Sequence, residues 1–298
     1  MPASSHPAFE QMITLQHAQG ATEPPHQEQL CVATFGDRHR PAVVLPGPSG
    51  LYWEDDFCQR LADAGRFVLR YDIRDTGRST SYPTGSPGYT LRDLATDVVG
   101  LLDTFEIPRA HLVGFSVAGW ICQLTAIDHA DRVSALTLIN TRPTAPGPPD
   151  PDLPDHSPAF MARFTEEPDP DWSDRQAVID YGVRDARASS GSHGFDEAAA
   201  RQRVTHIVDR TESMASSTMN LAFVDAGPRW RERLSSITAP TVVIHGTDDP
   251  FVPYGNGEAM AREILGAELV PLPGIGHELP PVTWERVLAA ITAPTPHG

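Results

Sequence analysis

The chain has 298 residues, of which 40% are hydrophobic, so it carries enough apolar material for one large core with at most a modest second lobe. Its formal net charge is −16 and it has no basic runs, so it lacks the usual electrostatic basis for binding nucleic acid. All 23 basic residues are arginine, which excludes a Schiff-base lysine, a lysine-anchored cofactor and a Walker-type phosphate loop.

The first 140 residues alternate strand-like and helix-like segments. A capping box formed by Thr90 and Asp93 predicts the start of a helix that runs to about residue 106. Strands that alternate with helices predict an α/β fold with a mostly parallel, doubly wound sheet. Apolar patterns predict the strands of this part of the sheet at 12–15, 31–35, 42–46, 67–71 and 133–139.

This alternation stops after residue 140. Residues 143–158 are rich in proline and aspartate, and no convincing strand returns before residue 241. A plain crossover between parallel strands needs only about 10–12 residues, so the surplus predicts an inserted helical cap. The predicted division is a core domain at 1–140 and 232–298 and a cap domain at 141–231.

The predicted cap contains helices near 174–188 and 196–215 and many aromatic residues. Aromatic side chains at helical spacing usually form the core of their own domain, but some must face the cleft if the cap closes a pocket. Trp53 and Trp120 are also expected near the mouth of that pocket because of their positions in the chain. The expected substrate contacts are Trp53, Trp120, Phe160, Phe164 and Trp172.

Ser116 lies in the most informative segment of the chain. A short apolar run leads into Gly114, Ser116 and then Ala118 and Gly119, after which the apolar spacing becomes helical. Small residues on both sides of the serine are what a sharp strand-to-helix turn needs, because the two backbones pass close to each other there. Such a turn lifts the hydroxyl out of the sheet and directs a helix N-terminus at whatever the serine attacks.

Two later predicted strands are each followed by a polar turn. The segment 240–246 leads into Asp248 and Asp249, and the segment 267–274 leads into His277. Ligands and catalytic groups gather at the C-terminal ends of strands in open α/β sheets. A serine nucleophile needs a base within hydrogen-bond reach and an acid that fixes the tautomer of that base. The order Ser, Asp, His along the chain therefore predicts a nucleophilic serine site at one edge of the sheet.

Four segments make the chain resemble the α/β-hydrolases, and more narrowly the bacterial methylesterases of aromatic polyketides, of the aclacinomycin methylesterase type. These segments are the serine turn and residues 70–80, 246–250 and 273–280. The turn departs from the family's Gly-x-Ser-x-Gly pattern, because Ala118 stands at the place of the last glycine. The resemblance implies the α/β-hydrolase fold, a mostly parallel sheet with an inserted helical cap.

The predicted roles are Ser116 as nucleophile, His277 as general base and then acid, and Asp249 as the orienting carboxylate. Asp248 stays open as an alternative acid. Asp249 is preferred because it lies three residues after Gly246, where the resembled family keeps its acid.

Two backbone N–H groups are expected to form an oxyanion hole. One belongs to Val117, directly after the nucleophile. The other is expected from the loop after the strand at 42–46, where Pro46 and Pro48 have no N–H and Gly47 is the natural donor.

Other noticeable residues are expected to be structural. Arg74 and Asp75 are expected to pair beneath the site and hold loops together, and His245 to be a satisfied core residue. The three cysteines are odd in number and far apart, so neither a disulfide nor a zinc site is expected.

The sequence thus predicts a serine hydrolase that cleaves a carboxylic ester through an acyl-enzyme, with no metal or organic cofactor. The resemblance implies a methyl ester of an aromatic polyketide in antibiotic biosynthesis. The first alternative is a non-hydrolytic enzyme of natural-product biosynthesis, which decarboxylates, cyclises or forms carbon–carbon bonds with the same pocket; the second is a binding protein without turnover. The expected partner is a small aromatic or acyl ester, and neither nucleic acid nor a membrane is expected as a partner. The expected location is the cytoplasm, and the oligomeric state is left open.

Overall fold

A mixed sheet forms the centre of the computed structural model, which describes residues 9–16, 27–47, 52–145 and 150–293. In these residues the strand order is β1-β2-β4-β3-β5-β6-β7-β8. β1 pairs with β2 and β2 with β4 in antiparallel fashion, and every other neighbouring pair is parallel. The strands are β1 Phe9–Gln16, β2 Gln27–Phe35, β3 Ala42–Gly47, β4 Phe67–Asp72, β5 Ala110–Phe115, β6 Val133–Ile139, β7 Thr241–Gly246 and β8 Glu268–Leu272.

Helices cover both faces of this sheet, which confirms the predicted α/β fold. Every residue of the central strands β3, β4 and β5 is buried, as expected for parallel strands covered on two sides. One apolar layer includes side chains of α2, α3 and α8, and the other includes side chains of α1 and α9. These helices are α1 Asp55–Asp63, α2 Leu91–Thr104, α3 Val117–Asp128, α8 Gly255–Glu263 and α9 Trp284–Thr292.

The start of α2 is confirmed, and its end differs slightly from the prediction. Thr90 Oγ1 accepts a hydrogen bond from Asp93 N at 3.2 Å, and Asp93 Oδ2 accepts one from Thr90 N at 2.7 Å. The helix ends at Thr104 because Glu106 has a left-handed φ of 56°.

In the described part of the stretch between β6 and β7 there are four further α-helices. Asp174 caps the first turn of α5 through Gln176 N at 2.8 Å, and Asp196 caps α6 through Ala199 N at 3.0 Å. The helix predicted at 196–215 is in fact two, because Ser213 caps a new start. The four helices are α4 Pro158–Glu166, α5 Arg175–Ser189, α6 Glu197–Arg210 and α7 Met214–Met219.

The extent of the cap domain stays a prediction. Trp230, which the predicted boundaries assign to the cap, is fully buried in the apolar layer beside α3. Its Nε1 donates a hydrogen bond to Gln123 Oε1 at 2.9 Å. Among the described residues, none of the helices is both long and apolar enough to cross a bilayer.

The expected pairing of Arg74 with Asp75 is wrong. Arg74 instead forms a two-pronged ion pair with Asp97, with hydrogen bonds of 2.8 and 2.7 Å, and lies 3.4 Å from Glu28. Asp75 accepts hydrogen bonds from Tyr89 OH and from Asn220 Nδ2, which follows α7. The segment is therefore structural as expected, but it fastens the residues after α7 to the sheet through Asp75.

Candidate active site

Ser116 stands at the turn between β5 and α3 with φ 53° and ψ −122°. A left-handed φ is unusual for a residue with a side chain, and it persists where the surrounding structure holds it. Ser116 N donates to the carbonyl of Ile139 at 2.9 Å, and the Ser116 carbonyl accepts from Gly119 N at 2.9 Å. These two bonds fix the turn at the C-terminal edge of the sheet.

Close backbone approach explains the small residues around Ser116. A Cβ on Gly114 would lie 2.6 Å from the carbonyl carbon of Ala118, and a Cβ on Gly119 would lie 2.5 Å from Thr141 Cγ2. Ala118 itself is fully buried, with 0% of its surface exposed. The methyl group at the place of the family's last glycine is therefore accommodated by the fold.

We expect Gly114→Ala to disrupt this turn and Ala118→Gly to be mild. The first change drives a methyl group into backbone atoms that cannot move aside by a rotamer change, so we expect lower thermal stability and at least a tenfold loss of the esterase activity that the sequence predicts. The second removes a methyl near a helix start and should cost about 1 kcal/mol. Thermal melts and kcat/KM for one ester check both variants; a Gly114→Ala protein as stable and active as Ala118→Gly would contradict the close approach.

Three side chains from separate turns meet above this edge. His277 Nε2 lies 2.9 Å from Ser116 Oγ, and His277 Nδ1 lies 2.7 Å from Asp249 Oδ2. The other carboxylate oxygen, Asp249 Oδ1, accepts from Phe251 N at 2.9 Å and Val252 N at 2.7 Å. Because the carboxylate accepts, Nδ1 carries the proton and Nε2 is left to accept the serine proton.

Asp248 points to a different partner. It accepts hydrogen bonds from Ser192 and, at 2.9 Å, from Thr247 Oγ1. These bonds, with that from Ser192 as the first cause, lower the pKa of Asp248. The structure therefore brings Asp249, and not Asp248, to His277.

The turn that carries His277 is held by residues that the sequence analysis missed. Asn140, at the end of β6, donates from Nδ2 to the Gly276 carbonyl at 2.9 Å and accepts at Oδ1 from Gly246 N at 2.8 Å. His277 N donates to the carbonyl of Ser189 at 2.7 Å, at the end of α5. A signal for Asn140 was present, because asparagine after a strand tolerates a left-handed φ, here 45°.

His245 lies beneath the acid, buried as expected. Its Nε2 is 2.7 Å from the Val252 carbonyl and 3.8 Å from Asp249 Oδ2. Burial lowers the pKa of His245, which favours the neutral ring, and the carbonyl partner places the proton on Nε2. We expected both ring nitrogens to be hydrogen-bonded, but only Nε2 is, because Nδ1 has no hydrogen-bond partner among the described residues.

Both expected oxyanion donors stay predictions, and the structure describes only part of their surroundings. Val117 is the first residue of α3, where backbone N–H groups have no acceptor within the helix. Gly47 is the last residue of β3, and its carbonyl accepts from Ile73 N at 3.3 Å. Pro48 and the rest of that loop lie outside the described residues, so the donor role of Gly47 stays a prediction.

A cavity of about 1700 Å³ opens over Ser116 and His277. Of the expected substrate contacts, the structure places four in its wall: Trp120, Phe160, Phe164 and Trp172. Further aromatic side chains in the wall, missed in the sequence, are Tyr52, Phe115, Tyr181, Phe195 and Phe251. The wall thus carries aromatic rings both from the sheet side and from the stretch between β6 and β7.

The expectation for Trp53 is wrong. Only 1% of its surface is exposed, and its indole packs against Phe57 in the apolar layer. Its Nε1 donates to the Pro46 carbonyl at 3.0 Å, which fixes the ring inside the fold. The neighbouring Tyr52 faces the cavity instead.

Within the described residues, there is no cluster of three or more His, Cys, Asp or Glu side chains suited to a metal ion. Cys31, Cys58 and Cys122 are buried and unpaired by disulfides. Burial raises the pKa of the Cys31 thiol to about 11 and that of Cys58 to about 12, so neither is a ready thiolate.

Comparisons with known proteins agree with the fold. The family model described as alpha/beta hydrolase fold matches residues 44–281. The chain is 31% identical to rhodomycin D methylesterase DnrP of Streptomyces peucetius and 30% identical to rhodomycin D methylesterase DauP of Streptomyces sp. strain C5, in both cases over 86% of this chain and 90% of the relative. The solved structure of esterase RhEst1 from Rhodococcus sp. ECU1013 covers 95% of this chain and is itself covered to 98%, with a TM-score of 0.73 at 19% identity, which speaks for the fold alone.

Proposed function

The chain belongs to the α/β-hydrolase fold family, and from this premise we propose that it is a carboxylic ester hydrolase with Ser116 as the nucleophile. The observation that carries the proposal is the continuous hydrogen-bond chain from Ser116 Oγ through His277 to Asp249, located at the floor of an aromatic cavity. Relatives named as methylesterases, at 30 and 31% identity, support ester cleavage.

In the proposed first half-reaction, Ser116 Oγ attacks the ester carbonyl carbon while its proton moves to His277 Nε2. The oxyanion that forms is stabilised by the Val117 N–H and by a donor expected at Gly47. Collapse of this intermediate breaks the bond to the leaving alkoxide, which takes the proton from His277 and departs as the alcohol. Asp249 keeps the ring oriented and stabilises its positive charge throughout.

In the second half-reaction, a water molecule gives its proton to His277 Nε2 and attacks the acyl carbon. The second tetrahedral intermediate releases Ser116 Oγ, which regains the proton from His277. The net change is one ester and one water converted to one acid and one alcohol, with no redox step. The residues that perform both halves are therefore the same three.

We propose a methyl ester of an aromatic polyketide as the substrate class. The cavity is larger than an average small-molecule site and its wall is rich in flat apolar rings, which suits a polycyclic acyl group. The named activity of the two relatives supports the methyl leaving group. Ser116 at the cavity floor would receive the ester while the rings occupy the space beneath the cap.

Trapping of the acyl group tests the mechanism. We expect the protein to release methanol from an aryl methyl ester such as methyl anthraquinone-2-carboxylate, and hydroxylamine to divert part of the acyl group to the hydroxamate. A fluorophosphonate should add to the peptide that contains Ser116, as seen by mass spectrometry. A folded sample that gives neither product nor adduct would favour the non-hydrolytic alternative.

A further inference from the structure

Arg142 differs from the other arginines that are at least half buried in the described chain. In this acidic protein, each of the others has a carboxylate within 4.0 Å or a backbone carbonyl as a partner. Arg142 has neither among the described residues, and its one polar contact is His156 Nε2, 3.5 Å from Nη1. A guanidinium has five N–H donors, so most of its capacity is unused within the described structure.

The position of Arg142 is fixed although no carboxylate of the described residues forms an ion pair with it. Its carbonyl accepts a hydrogen bond from Gln123 Nε2 at 3.1 Å, and its Nε is buried without a partner among the described residues. Asp150 and Asp155 act on Arg142 only through longer-range charge, since neither forms an ion pair with it: Asp150 pairs with Arg229 at 2.6 Å, and Asp155 accepts from the backbone N of His156 at 2.8 Å. Arg142 lies in the wall of the cavity over Ser116.

His156 is oriented so that it does not satisfy the guanidinium by itself. Its Nδ1 contacts the carbonyl of Phe251, which only accepts, so the proton is on Nδ1 and the lone pair of Nε2 faces Arg142. The 3.5 Å contact is long for a hydrogen bond, which leaves the other N–H groups of Arg142 for a ligand.

Aromatic rings connect Arg142 to the reacting end of the cavity. The His156 ring is stacked on Phe251, with centroids 4.8 Å apart and planes at 15°. Phe251 in turn meets the ring of His277 edge to face at 5.1 Å. A flat acyl group that extends from Ser116 along this row would bring its far edge to the guanidinium.

We propose that Arg142 is a specificity residue that binds a pair of negatively charged oxygens on the far edge of an aromatic ester substrate. The proposal rests on the proposed function for the ester at Ser116. A planar guanidinium binds two adjacent oxygens with two parallel hydrogen bonds, and the partial burial of Arg142 strengthens such a pair. Two groups offer this arrangement, a carboxylate and an ionised hydroxy-quinone.

Binding to variants that cannot turn over tests Arg142 independently of catalysis. The ligands are monomethyl naphthalene-2,6-dicarboxylate, its neutral dimethyl ester, and methyl 3,4-dihydroxyanthraquinone-2-carboxylate at a pH where it is ionised. Titration calorimetry compares Ser116→Ala with Ser116→Ala/Arg142→Gln and Ser116→Ala/Arg142→Lys. The matched control is Ser116→Ala/Arg262→Gln, since Arg262 is exposed and forms no ion pair among the described residues.

We expect Arg142→Gln to lower the affinity for the anionic ligands at least tenfold and the affinity for the neutral diester less than twofold. Arg142→Lys should retain part of the affinity for the anionic ligands, because it keeps the positive charge but not the two parallel N–H donors. It also provides a second test if the glutamine variant folds poorly. The anionic ligand whose affinity falls more in Arg142→Gln shows whether the oxygen pair belongs to a carboxylate or to an ionised hydroxy-quinone. Equal effects on charged and neutral ligands, or no effect at all, would overturn the proposal for Arg142.

Kinetics of the otherwise unchanged protein separate this result from the proposed function. With Ser116 present, Arg142→Gln should raise KM for the monoacid ester at least tenfold and KM for the neutral dimethyl ester less than twofold, whereas Arg262→Gln should change neither KM. A protein that binds the anions through Arg142 but hydrolyses no ester would refute the proposed function only. A protein that hydrolyses both esters with no response to Arg142→Gln would refute the role of Arg142 only.

Discussion

Ser116→Ala is expected to lower kcat for an aryl methyl ester by about 10⁴-fold or more, to the level given by the remaining site. The change deletes the Oγ that lies 2.9 Å from His277 Nε2, so no acyl-enzyme can form. The two backbone hydrogen bonds that hold the turn do not involve the side chain, so the variant should fold normally. Single-turnover kinetics with the methyl ester measure the loss.

The unchanged thermal midpoint of Ser116→Ala is the control for this experiment, together with loss of labelling by a fluorophosphonate. A variant that retains a tenth or more of the activity would show that another group attacks the ester. Combining Ser116→Ala with Asp249→Asn should cost little beyond Ser116→Ala alone, because residues that act as one unit are not additive.

Asp249→Asn is expected to reduce kcat by a factor on the order of 10³–10⁴, with a small effect on KM. Asparagine keeps the volume, but an amide NH₂ that faces Nδ1 would favour the tautomer with its proton on Nε2, which cannot accept from Ser116. The acceptor position at Oδ1, toward Phe251 N and Val252 N, can be kept by the amide oxygen, so the loop should stay in place. Steady-state kinetics of the purified variant measure the effect.

Asp248→Asn is the matched control, one residue away and equal in chemistry. It loses charge beside Ser192 and Thr247 but leaves the His277 contact intact, so activity should stay within a few-fold of the parent. The opposite ranking of the two variants would move the acid role to Asp248.

Local chemistry explains what the sequence predicted. The capping box of Thr90 with Asp93 and the small residues around Ser116 act within a few positions, so they can be recognised without the fold. The turns that carry Asp249 and His277 follow the neighbouring strands β7 and β8, and parallel strands bring such turns to one edge. The α/β architecture and the identity of the three converging side chains were therefore accessible.

Features that depend on tertiary packing could not be predicted from the sequence. Tyr52 and Trp53 are neighbours in the chain, yet one lines the cavity and the other is buried in the core, and chain position alone does not reveal which side faces inward. The partner of Arg74 is Asp97 on α2, distant in sequence and close only after the helix packs on the sheet. The sequence could indicate a turn at Asn140, but its role in joining two loops is visible only once those loops are known to meet.

The end of α5 is joined to the histidine turn main chain to main chain. Besides the bond from His277 N to Ser189, His193 N donates to the Gly274 carbonyl at 2.8 Å, and a Cβ on Gly276 would lie 2.5 Å from Gly191 N. Recombination that exchanges the stretch between β6 and β7 among relatives to alter specificity would therefore also exchange backbone that supports the His277 turn. A chimera that retains the native residues 189–193 keeps these backbone contacts. One that replaces them must reproduce the close approach of Gly191 to Gly276.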